Sequence, residues 1–446
     1  MKKFLGSRFF RLIWSLGVGT LLYFICPPCF SKTILISILV VLLLTVNFAE
    51  AVAKLVWLTH VSRLLVGGLF IFSGFIKAND PIGFSYKLEE YFEVFKEAVK
   101  GGAFEFSSGL FDGMAHMALP LSTILCASEI VLGVMLLIGF KPRLTLWLLF
   151  AQIAFFTFLT FYSACFNKVT TCGCFGDFLV LKPWTSFWKD VVLMILITIL
   201  IVGKDNINEL VNPLLTFSLF VVGLVFSFAF PVYTIRNLPV FDFRAYKIGN
   251  NIKEQMKLPD SYQPPVIETG FIYENIKTGK KEQFTLKNYP WADTLNWKWV
   301  ATENIVIKEA VNAPKITDFT VTDLNGNAIT DSLLNDQQYA FWLIAYDLSK
   351  TDDDASLMAE INDFYKLATQ NKTKVIGLTA SGPKQIDEFK HKHNLLVDFA
   401  IVDGTVLKTM IRSNPGLMLV KNGTVVMNWH HNNFPGFSDA KQRYFK

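Results

Sequence analysis

Five of the six cysteines lie at positions where they could take part in redox chemistry. The tightest group is Cys172-Gly173-Cys174, in which one glycine separates two thiols. A disulfide across one glycine closes a small, strained ring, and strained, exposed disulfides are readily reduced. Cys165 lies shortly before this group, near enough in sequence to resolve a mixed disulfide. We interpret Cys172, Cys174 and Cys165 as candidate catalytic residues for thiol–disulfide exchange.

Other interpretations of the cysteines stay open. A disulfide in this region could simply tie the loop to the end of the preceding helix. A metal site is disfavoured, because no histidine or fourth cysteine nearby completes a tetrahedral set of ligands. Cys26-Pro27-Pro28-Cys29 has the spacing of a redox motif, but it could equally be a proline-broken turn with incidental cysteines. Cys126 lies within an apolar stretch and is most simply a small core residue.

Glu129 lies near the middle of an apolar stretch, where an ionisable side chain costs free energy and usually serves a function. In one interpretation it binds a cofactor, a quinone, and exchanges protons with it, or it forms an ion pair with Lys189 or Arg63. In the other it is a neutral carboxylic acid that hydrogen-bonds across two helices. Five glycines of the same region are interpreted as close-packing positions between helices: Gly67, Gly68, Gly74, Gly133 and Gly139.

The composition indicates a membrane protein. Hydrophobic residues make up 52% of the chain and charged residues only 18%, against roughly 25% charged residues in a typical soluble domain. A helix needs about 20 mostly apolar residues to cross the hydrocarbon core. Spans are predicted at 64–77, 118–140, 144–164, 187–203 and 213–235, with two more upstream at 9–25 and 33–57. The earlier upstream span has no small-residue cleavage site after it, so seven spans are favoured over five behind a removed leader.

Positive charge in short loops predicts the orientation of these spans. Lys141-Pro142-Arg143 is a basic turn between two spans and is placed in the cytoplasm. The loops 78–117 and 165–186 and the C-terminal part of the chain then lie on the outer side of a bacterial inner membrane. Disulfides form and persist in such a compartment, which supports a redox role for the cysteines. The net charge of +5 is dispersed and gives no support for nucleic-acid binding.

From residue 314 onward the sequence predicts a soluble α/β domain. Lys421-Asn422-Gly423-Thr424 joins two apolar runs in the manner of a tight hairpin. An alternation of strands and helices is typical of a central sheet with crossover connections. The predicted strands are 339–346 and 373–378, and the predicted helices are 354–369 and 383–394.

This domain resembles thioredoxin-like proteins but lacks their thiols. Its opening, 314–323, resembles that of redoxin and peroxiredoxin-type domains, and Ser413-Asn414-Pro415-Gly416 matches the place where thioredoxin-like folds keep a cis-proline. The redox cysteines of that fold lie between the first central strand and its helix, where this chain has the acidic run 347–354. These acids suit a helix N-terminus. The predicted role of the domain is therefore partner recognition or scaffolding.

Two stretches resemble the DoxX and MauE-like group of membrane proteins. One runs from Arg63 to Lys77 (RLLVGGLFIFSGFIK), and the other is Cys172-Gly-Cys174-Phe-Gly-Asp177 followed by Phe187-Trp188-Lys189-Asp190. The resemblance covers about 60–235 and implies a four-helix core plus one further span. The resemblance to MauE implies a helper in disulfide formation for an extracytoplasmic enzyme. The resemblance to DoxX implies an association with quinone-linked thiosulfate oxidation. The combination with a thioredoxin-like tail is most similar to proteins of Bacteroidetes.

The prediction is therefore a multi-span α-helical membrane bundle with a four-helix DoxX/MauE-like core and a C-terminal α/β thioredoxin-like domain. We divide the chain into an accessory hairpin or leader (1–58), the bundle (59–235), a β-containing connector (236–313) and the soluble domain (314–446). The favoured function is thiol–disulfide exchange outside the membrane through Cys172 and Cys174, reoxidised through Cys165 or by a quinone. An extracytoplasmic protein is the expected partner, and membrane lipid surrounds the bundle. The alternatives are a scaffold or assembly protein with structural cysteines and a subunit of a quinone-linked oxidoreductase.

Overall fold

The computed structural model describes residues 51, 54–100, 105–169, 173–286, 288–308 and 310–445. These residues form two compact units. The first comprises the described residues up to Arg244 together with the short segments Ile411–Gly416 and Trp429–Pro435, and the second comprises the other described residues. The C-terminal part of the sequence therefore contributes to both units.

The first unit is built around α-helices. They are α1 (Val56–Asn79), α2 (Pro81–Val99), α3 (Ser108–His116), α4 (Ala118–Ile138), α5 (Pro142–Phe166), α6 (Pro183–Val202) and α7 (Pro213–Arg236). Within the described ranges, five helices are long and apolar enough to cross a membrane, namely α1, α4, α5, α6 and α7. They coincide with the five downstream spans predicted from the sequence, and the chain is a multi-pass membrane protein. The spans predicted at 9–25 and 33–57 lie outside the described residues, apart from the last positions of the second.

Prolines and polar caps set the ends of these helices. Proline is the first residue of α2, α5, α6 and α7, where its missing N–H costs no helical hydrogen bond. Asp80 caps α2, because its Oδ1 accepts a hydrogen bond from the Gly83 N–H at 2.9 Å. Helix α4 ends at Gly139, whose φ of +78° is the left-handed conformation typical of a helix C-terminus. The turn between α1 and α2 is therefore fixed at Asp80, directly after the helix that carries Lys77.

Helices α1 and α4 approach closely because glycines lie at their contact. A Cβ atom on Gly133 would lie 2.8 Å from the carbonyl oxygen of Gly67, and one on Gly74 would lie 2.8 Å from the Cβ atom of Glu129. Small residues at a helix contact allow the backbones to come this near. The predicted packing role is confirmed for these three glycines, whereas Gly68 faces open space and its prediction was wrong.

The second unit begins with a short helix and an antiparallel sheet. Helix α8 (Ile252–Met256) precedes strands β1 (Val266–Asn275), β2 (Lys281–Thr285) and β3 (Trp297–Lys308). The strand order is β2-β1-β3, and both pairs are antiparallel. The sheet lies in the region where the sequence predicts β-structure.

A six-stranded sheet forms the larger part of the second unit, with strand order β4-β7-β6-β5-β8-β9. Strands β5, β6 and β7 are parallel neighbours, and β4 is antiparallel to β7. The strands are β4 (Val321–Thr322), β5 (Tyr339–Ile344), β6 (Lys374–Thr379), β7 (Phe399–Val402), β8 (Gly416–Lys421) and β9 (Thr424–His430). The helices are α9 (Thr330–Leu334), α10 (Ala355–Gln370), α11 (Pro383–His393), α12 (Gly404–Met410) and α13 (Phe437–Tyr444).

The connections in this sheet are thioredoxin-like. Helix α10 joins the parallel strands β5 and β6, and β8 and β9 follow on the other side of β5, which gives the order β6-β5-β8-β9 of that fold. The Asn414–Pro415 peptide bond is cis, as the resemblance implies. Asn422 and Gly423 take positive φ values in the tight turn between β8 and β9. The predicted fold class is confirmed.

Candidate redox site in the helical bundle

A small cavity within the first unit brings charged side chains and a thiol together. Its volume is about 20 Å³, which is room for about one water molecule. Its walls come from α1, α4, α5, α6 and the loop before α6. The lining residues are Leu69, Phe70, Ser73, Lys77, Glu129, Ile153, Phe156, Cys174, Phe175, Lys189, Asp190 and Leu193. Two of the predicted site residues, Cys174 and Glu129, therefore face the same space.

Glu129 forms a buried ion pair with Lys77 across the contact between α1 and α4. The Nζ atom of Lys77 donates to Oε1 of Glu129, and each side chain is only 3% exposed. The ammonium also lies over the ring of Phe156, 4.4 Å from its centroid. Both charges are thus removed from solvent and lipid and satisfied by each other.

The partners predicted for Glu129 were wrong. Lys189 pairs with Asp190, and the guanidinium of Arg63 donates to the backbone carbonyl oxygens of Leu136, Leu137 and Asn208. The reason is geometric. Gly74 lets α1 approach the Cβ atom of Glu129, and Lys77 lies three residues further along the same helix, on the same face.

A second ion pair, Lys189–Asp190, lines the same cavity. Asp190 is fully buried, and its two carboxylate oxygens accept hydrogen bonds from Lys189 Nζ and from Thr160 Oγ1, the latter at 3.0 Å. The Lys189 ammonium also lies 5.6 Å from the centroid of the Phe175 ring. The cavity therefore has two lysines and two acids around it, and ionisable groups within a membrane bundle are usually functional.

Cys174 is a buried thiol in this cavity. Its backbone carbonyl accepts a hydrogen bond from Ser73 Oγ at 3.2 Å, which ties the loop to α1. Gly173 precedes it with a φ of +68°, a conformation that glycine adopts without strain. Lys77 lines the same cavity. The thiol thus shares a small, largely apolar space with a cation.

The disulfide bonding of the predicted site cysteines differs from the prediction. Because Cys174 is a thiol, the disulfide expected across Gly173 is not formed in this structure. Cys165, near the C-terminal end of α5, takes part in a disulfide whose partner lies outside the described residues. Cys172 also lies outside them. The structure brings Cys174 and Glu129 together, but it does not place Cys165 among the cavity-lining residues.

Sequence reasoning gave no role to Lys77, Asp190 or Ser73, although all three line the cavity. The first two were visible as charged residues at the ends of predicted spans. Charges at such positions are common, because their side chains can reach the membrane surface. Their partners across the bundle depend on how the helices pack, which the spacing of charges along one helix does not reveal.

Where thioredoxin-like domains carry their redox cysteines, the α/β region of this chain has acidic residues that cap helices. Asp347 accepts a hydrogen bond from the Ser349 N–H at 2.9 Å, and Asp354 accepts one from the Ser356 N–H at 3.1 Å where α10 begins. The hydrogen bonds from Ser356 hold the pKa of the Asp354 carboxyl below its usual value. The predicted capping role of this acidic run is confirmed.

Residues 55–203 match the family model of methylamine utilisation protein MauE. The helical core is MauE-like. The matched stretch runs from α1 through α6 and contains every residue of the cavity. Residues 267–309, which include most of the three-stranded sheet, match a domain of unknown function, DUF8463.

Among solved structures, the chain is similar to the solution structure of a candidate protein disulfide isomerase from Bacteroides thetaiotaomicron. The identity is 18%, the match covers 28% of this chain and 82% of that chain, and the TM-score is 0.24. Comparison with curated proteins gives no match. The thioredoxin-like character of the α/β region rests on its strand order and connections.

The cavity does not fit a quinone in this structure. A quinone ring with its substituents occupies several times the volume of a water molecule, whereas the cavity holds about one. Glu129, the predicted cofactor-binding residue, is already paired with Lys77. No reaction step through a quinone follows from this arrangement, and the quinone stays a prediction.

Proposed function

We propose that the protein is a membrane-embedded thiol–disulfide oxidoreductase in which Cys174 is the attacking residue. The observation that carries this proposal is the burial of Cys174 in one cavity with the Lys77–Glu129 ion pair. The MauE-like character of the same region supports it, because the resemblance implies a helper in disulfide formation. Cys172 is assigned as the second cysteine of the reaction.

Lys77 explains how a buried thiol can react. The nucleophile in exchange is the thiolate, and an apolar environment disfavours that charged form. A nearby cation stabilises a thiolate. Lys77 supplies the cation, and Glu129 holds it in position across the contact between α1 and α4. In this proposal Lys77 acts on Cys174 directly, and Glu129 is a positioning residue.

The exchange reaction balances without a further cofactor. The Cys174 thiolate attacks one sulfur of a disulfide in a partner protein; a new S–S bond forms, the partner's bond breaks, and its second sulfur leaves as a thiolate that takes up a proton. The Cys172 thiolate then attacks Sγ of Cys174 and releases the first partner sulfur. The partner's disulfide gains two electrons, and Cys172 and Cys174 become a disulfide. The reverse sequence oxidises a partner dithiol.

The location of this chemistry is part of the proposal. The basic turn Lys141-Pro142-Arg143 argues for a cytoplasmic end of the bundle opposite the cysteine loop. We therefore assign the loop and the α/β region to the outer side of a bacterial inner membrane, where disulfides persist. The α/β region, which has no cysteine, would recognise the protein partner rather than react with it.

Trapping of mixed disulfides tests the proposal. Cys172→Ser leaves Cys174 able to attack a partner but removes the thiolate that releases it. Adducts should then accumulate in membranes and appear as slower bands on non-reducing gels. Cys172→Ser combined with Cys174→Ser should abolish them. Cys172→Ser combined with Cys126→Ser is the matched control, because Cys126 is also a buried thiol of the first unit but does not line the cavity; its adducts should persist.

A structural role for the cysteines predicts a different result. Replacing a cysteine of a structural disulfide should lower stability by about 2–4 kcal/mol without any trapped species. Absence of adducts in Cys172→Ser would contradict the redox proposal, and adducts in the reciprocal Cys174→Ser would contradict the assignment of Cys174 as the attacking residue.

One observation favours a second candidate function. Cys165 takes part in a disulfide at the end of α5, and such a bond can hold a loop without reacting. A membrane-anchored scaffold or assembly protein with structural cysteines would need no more than this. The trapping experiment separates the two functions, since a scaffold gives a loss of stability and no adduct.

A further inference from the structure

Arg412 is a buried arginine at the centre of a cluster of charges in the first unit. It belongs to the segment Ile411–Gly416, directly after α12. Its Nε donates to both carboxylate oxygens of Asp80, at 2.9 and 2.8 Å, and its Nη2 donates to Oδ2 of Asp177 at 3.0 Å. Arg412 is 5% exposed. Hydrogen bonds between ionised groups in such surroundings are among the strongest in proteins.

The two acids bound by Arg412 belong to the two elements that form the redox site. Asp80 ends the helix that carries Lys77, three residues further along the chain. Asp177 lies in the loop that carries Cys174, again three residues further along. The guanidinium therefore links the Cys174 loop to the end of α1, and the hydrogen bond from Ser73 to the Cys174 carbonyl links the same two elements.

The surroundings of Arg412 are shaped to hold the guanidinium. A Cβ atom on Gly83 would lie 2.7 Å from Arg412 Nη2, so a larger residue there would have to displace the guanidinium. The Tyr86 ring lies below the guanidinium, 5.7 Å from centroid to Cζ. Burial lowers the pKa of Arg412, but the carboxylates of Asp80 and Asp177 more than offset this and raise it overall. Arg412 therefore stays charged.

The charge of Asp177 depends on this cluster. Burial raises the pKa of the Asp177 carboxyl and Asp80 acts in the same direction, while Arg412 opposes both. Arg244 and Asp242, which pair with each other, also face Asp177 and have opposite effects on it. Without Arg412, the loop would carry a carboxylate beside Asp80 with its main counter-charge removed.

We propose that Arg412 is a positioning residue that latches the Cys174 loop onto the end of α1 and limits access to the Cys174 thiol. The effect of the latch on exchange rests on the proposed function, whereas its effect on access does not. The latch gives the C-terminal region of the sequence a direct role at the redox site, although that region has no cysteine. Loss of the latch exposes Cys174 and separates it from Lys77.

The experiment measures alkylation of Cys174 by a maleimide in native membranes, with mass spectrometry of the labelled peptide. Arg412→Gln removes the charge-assisted hydrogen bonds and should raise the labelling rate by about ten- to hundredfold, as expected for the loss of a hydrogen bond to a charged group. Arg412→Lys keeps the charge but cannot form the bidentate hydrogen bonds of a guanidinium. Its labelling rate should therefore lie between those of the parent protein and Arg412→Gln. Asp177→Asn perturbs the fold less and should raise the rate by a smaller factor.

Arg63→Gln is the matched control. Arg63 is a buried arginine of the same unit that bonds to backbone carbonyls of α4 and of residue 208 rather than to the cysteine loop. It should leave the labelling rate of Cys174 unchanged. An unchanged rate in both Arg412→Gln and Asp177→Asn, or an equal rise in Arg63→Gln, would overturn the latch. A raised rate in a protein that traps no partner would support the latch and reject the proposed function.

Discussion

Among the described residues, both side chains of an ion pair are buried only in the helical unit. In the helical unit, the Lys77–Glu129 pair is 3% exposed on both sides, and Asp190 and Arg412 are also buried. In the α/β unit, ion pairs lie at the surface, as in Lys384–Glu388, where the side chains are 90% and 66% exposed. Its core is instead built from apolar residues, among them Phe341 and Trp342, which are fully buried.

The difference identifies the helical unit as the one in which buried charges lower the free energy of unfolding for a reason other than folding. Removing two charges from water or polar surroundings costs several kcal/mol per ion. The attraction between the two charges offsets this cost only when their geometry is good. Apolar side chains of similar volume would often serve the fold equally well. The Lys77–Glu129 and Lys189–Asp190 pairs of the helical unit meet at one cavity with a thiol, and the α/β core follows ordinary packing rules. Chemistry is therefore expected in the bundle and recognition in the α/β unit.

The largest expected effect comes from breaking the pair at the cavity. Lys77→Met should leave the Glu129 carboxylate buried without its cation and lower the free energy of unfolding by about 3–5 kcal/mol. Unfolding in detergent micelles, followed by loss of helical circular dichroism, measures this change. The double variant Lys77→Met/Glu129→Leu should recover most of the stability while leaving the thiol without its cation. If Lys77→Met is as stable as the parent protein, the pair is not the costly element that the comparison requires.

Much of the fold could be predicted from the sequence, because long apolar stretches leave few alternatives to membrane helices. The α/β order was also predictable, since strands and helices alternate between clear turn signals such as Asn422-Gly423. Cys174 and Glu129 could be found because their residue types are rare in their surroundings. Apolar stretches, turn signals and residue types are local properties that can be read directly from the sequence.

The partners of those residues could not be predicted in the same way. Lys77 meets Glu129 only because Gly74 sets the separation and register of α1 and α4. Arg412 lies 235 residues after Asp177 in sequence, in a loop whose residue types match an ordinary surface turn. Contacts of this kind are fixed by packing over the whole unit, which no spacing rule along the chain encodes.

A smaller effect is expected from the apolar core of the α/β unit. Gly377 lies in β6, and a Cβ atom there would come within 2.6 Å of the Phe399 ring on the neighbouring strand. Gly377→Ala should therefore cost about 1–3 kcal/mol through overpacking, measured by chemical denaturation followed by Trp fluorescence. Gly382→Ala is the matched control, because nothing lies within 4 Å of the added atom. Equal losses in the two variants would show that packing is not the cause.

The smallest effect should come from an ion pair on the surface of the α/β unit. Lys384 Nζ lies 3.8 Å from Oε1 of Glu388, one turn further along α11. Lys384→Ala removes this pair, but water solvates both groups when they separate, so the loss should be about 0–0.5 kcal/mol. The same denaturation measurement at low and high salt checks it, since screening should remove whatever contribution exists. A loss as large as that of Lys77→Met would mean that burial does not distinguish the ion pairs of the two units, and the inference that buried charge marks the reactive region would then fail.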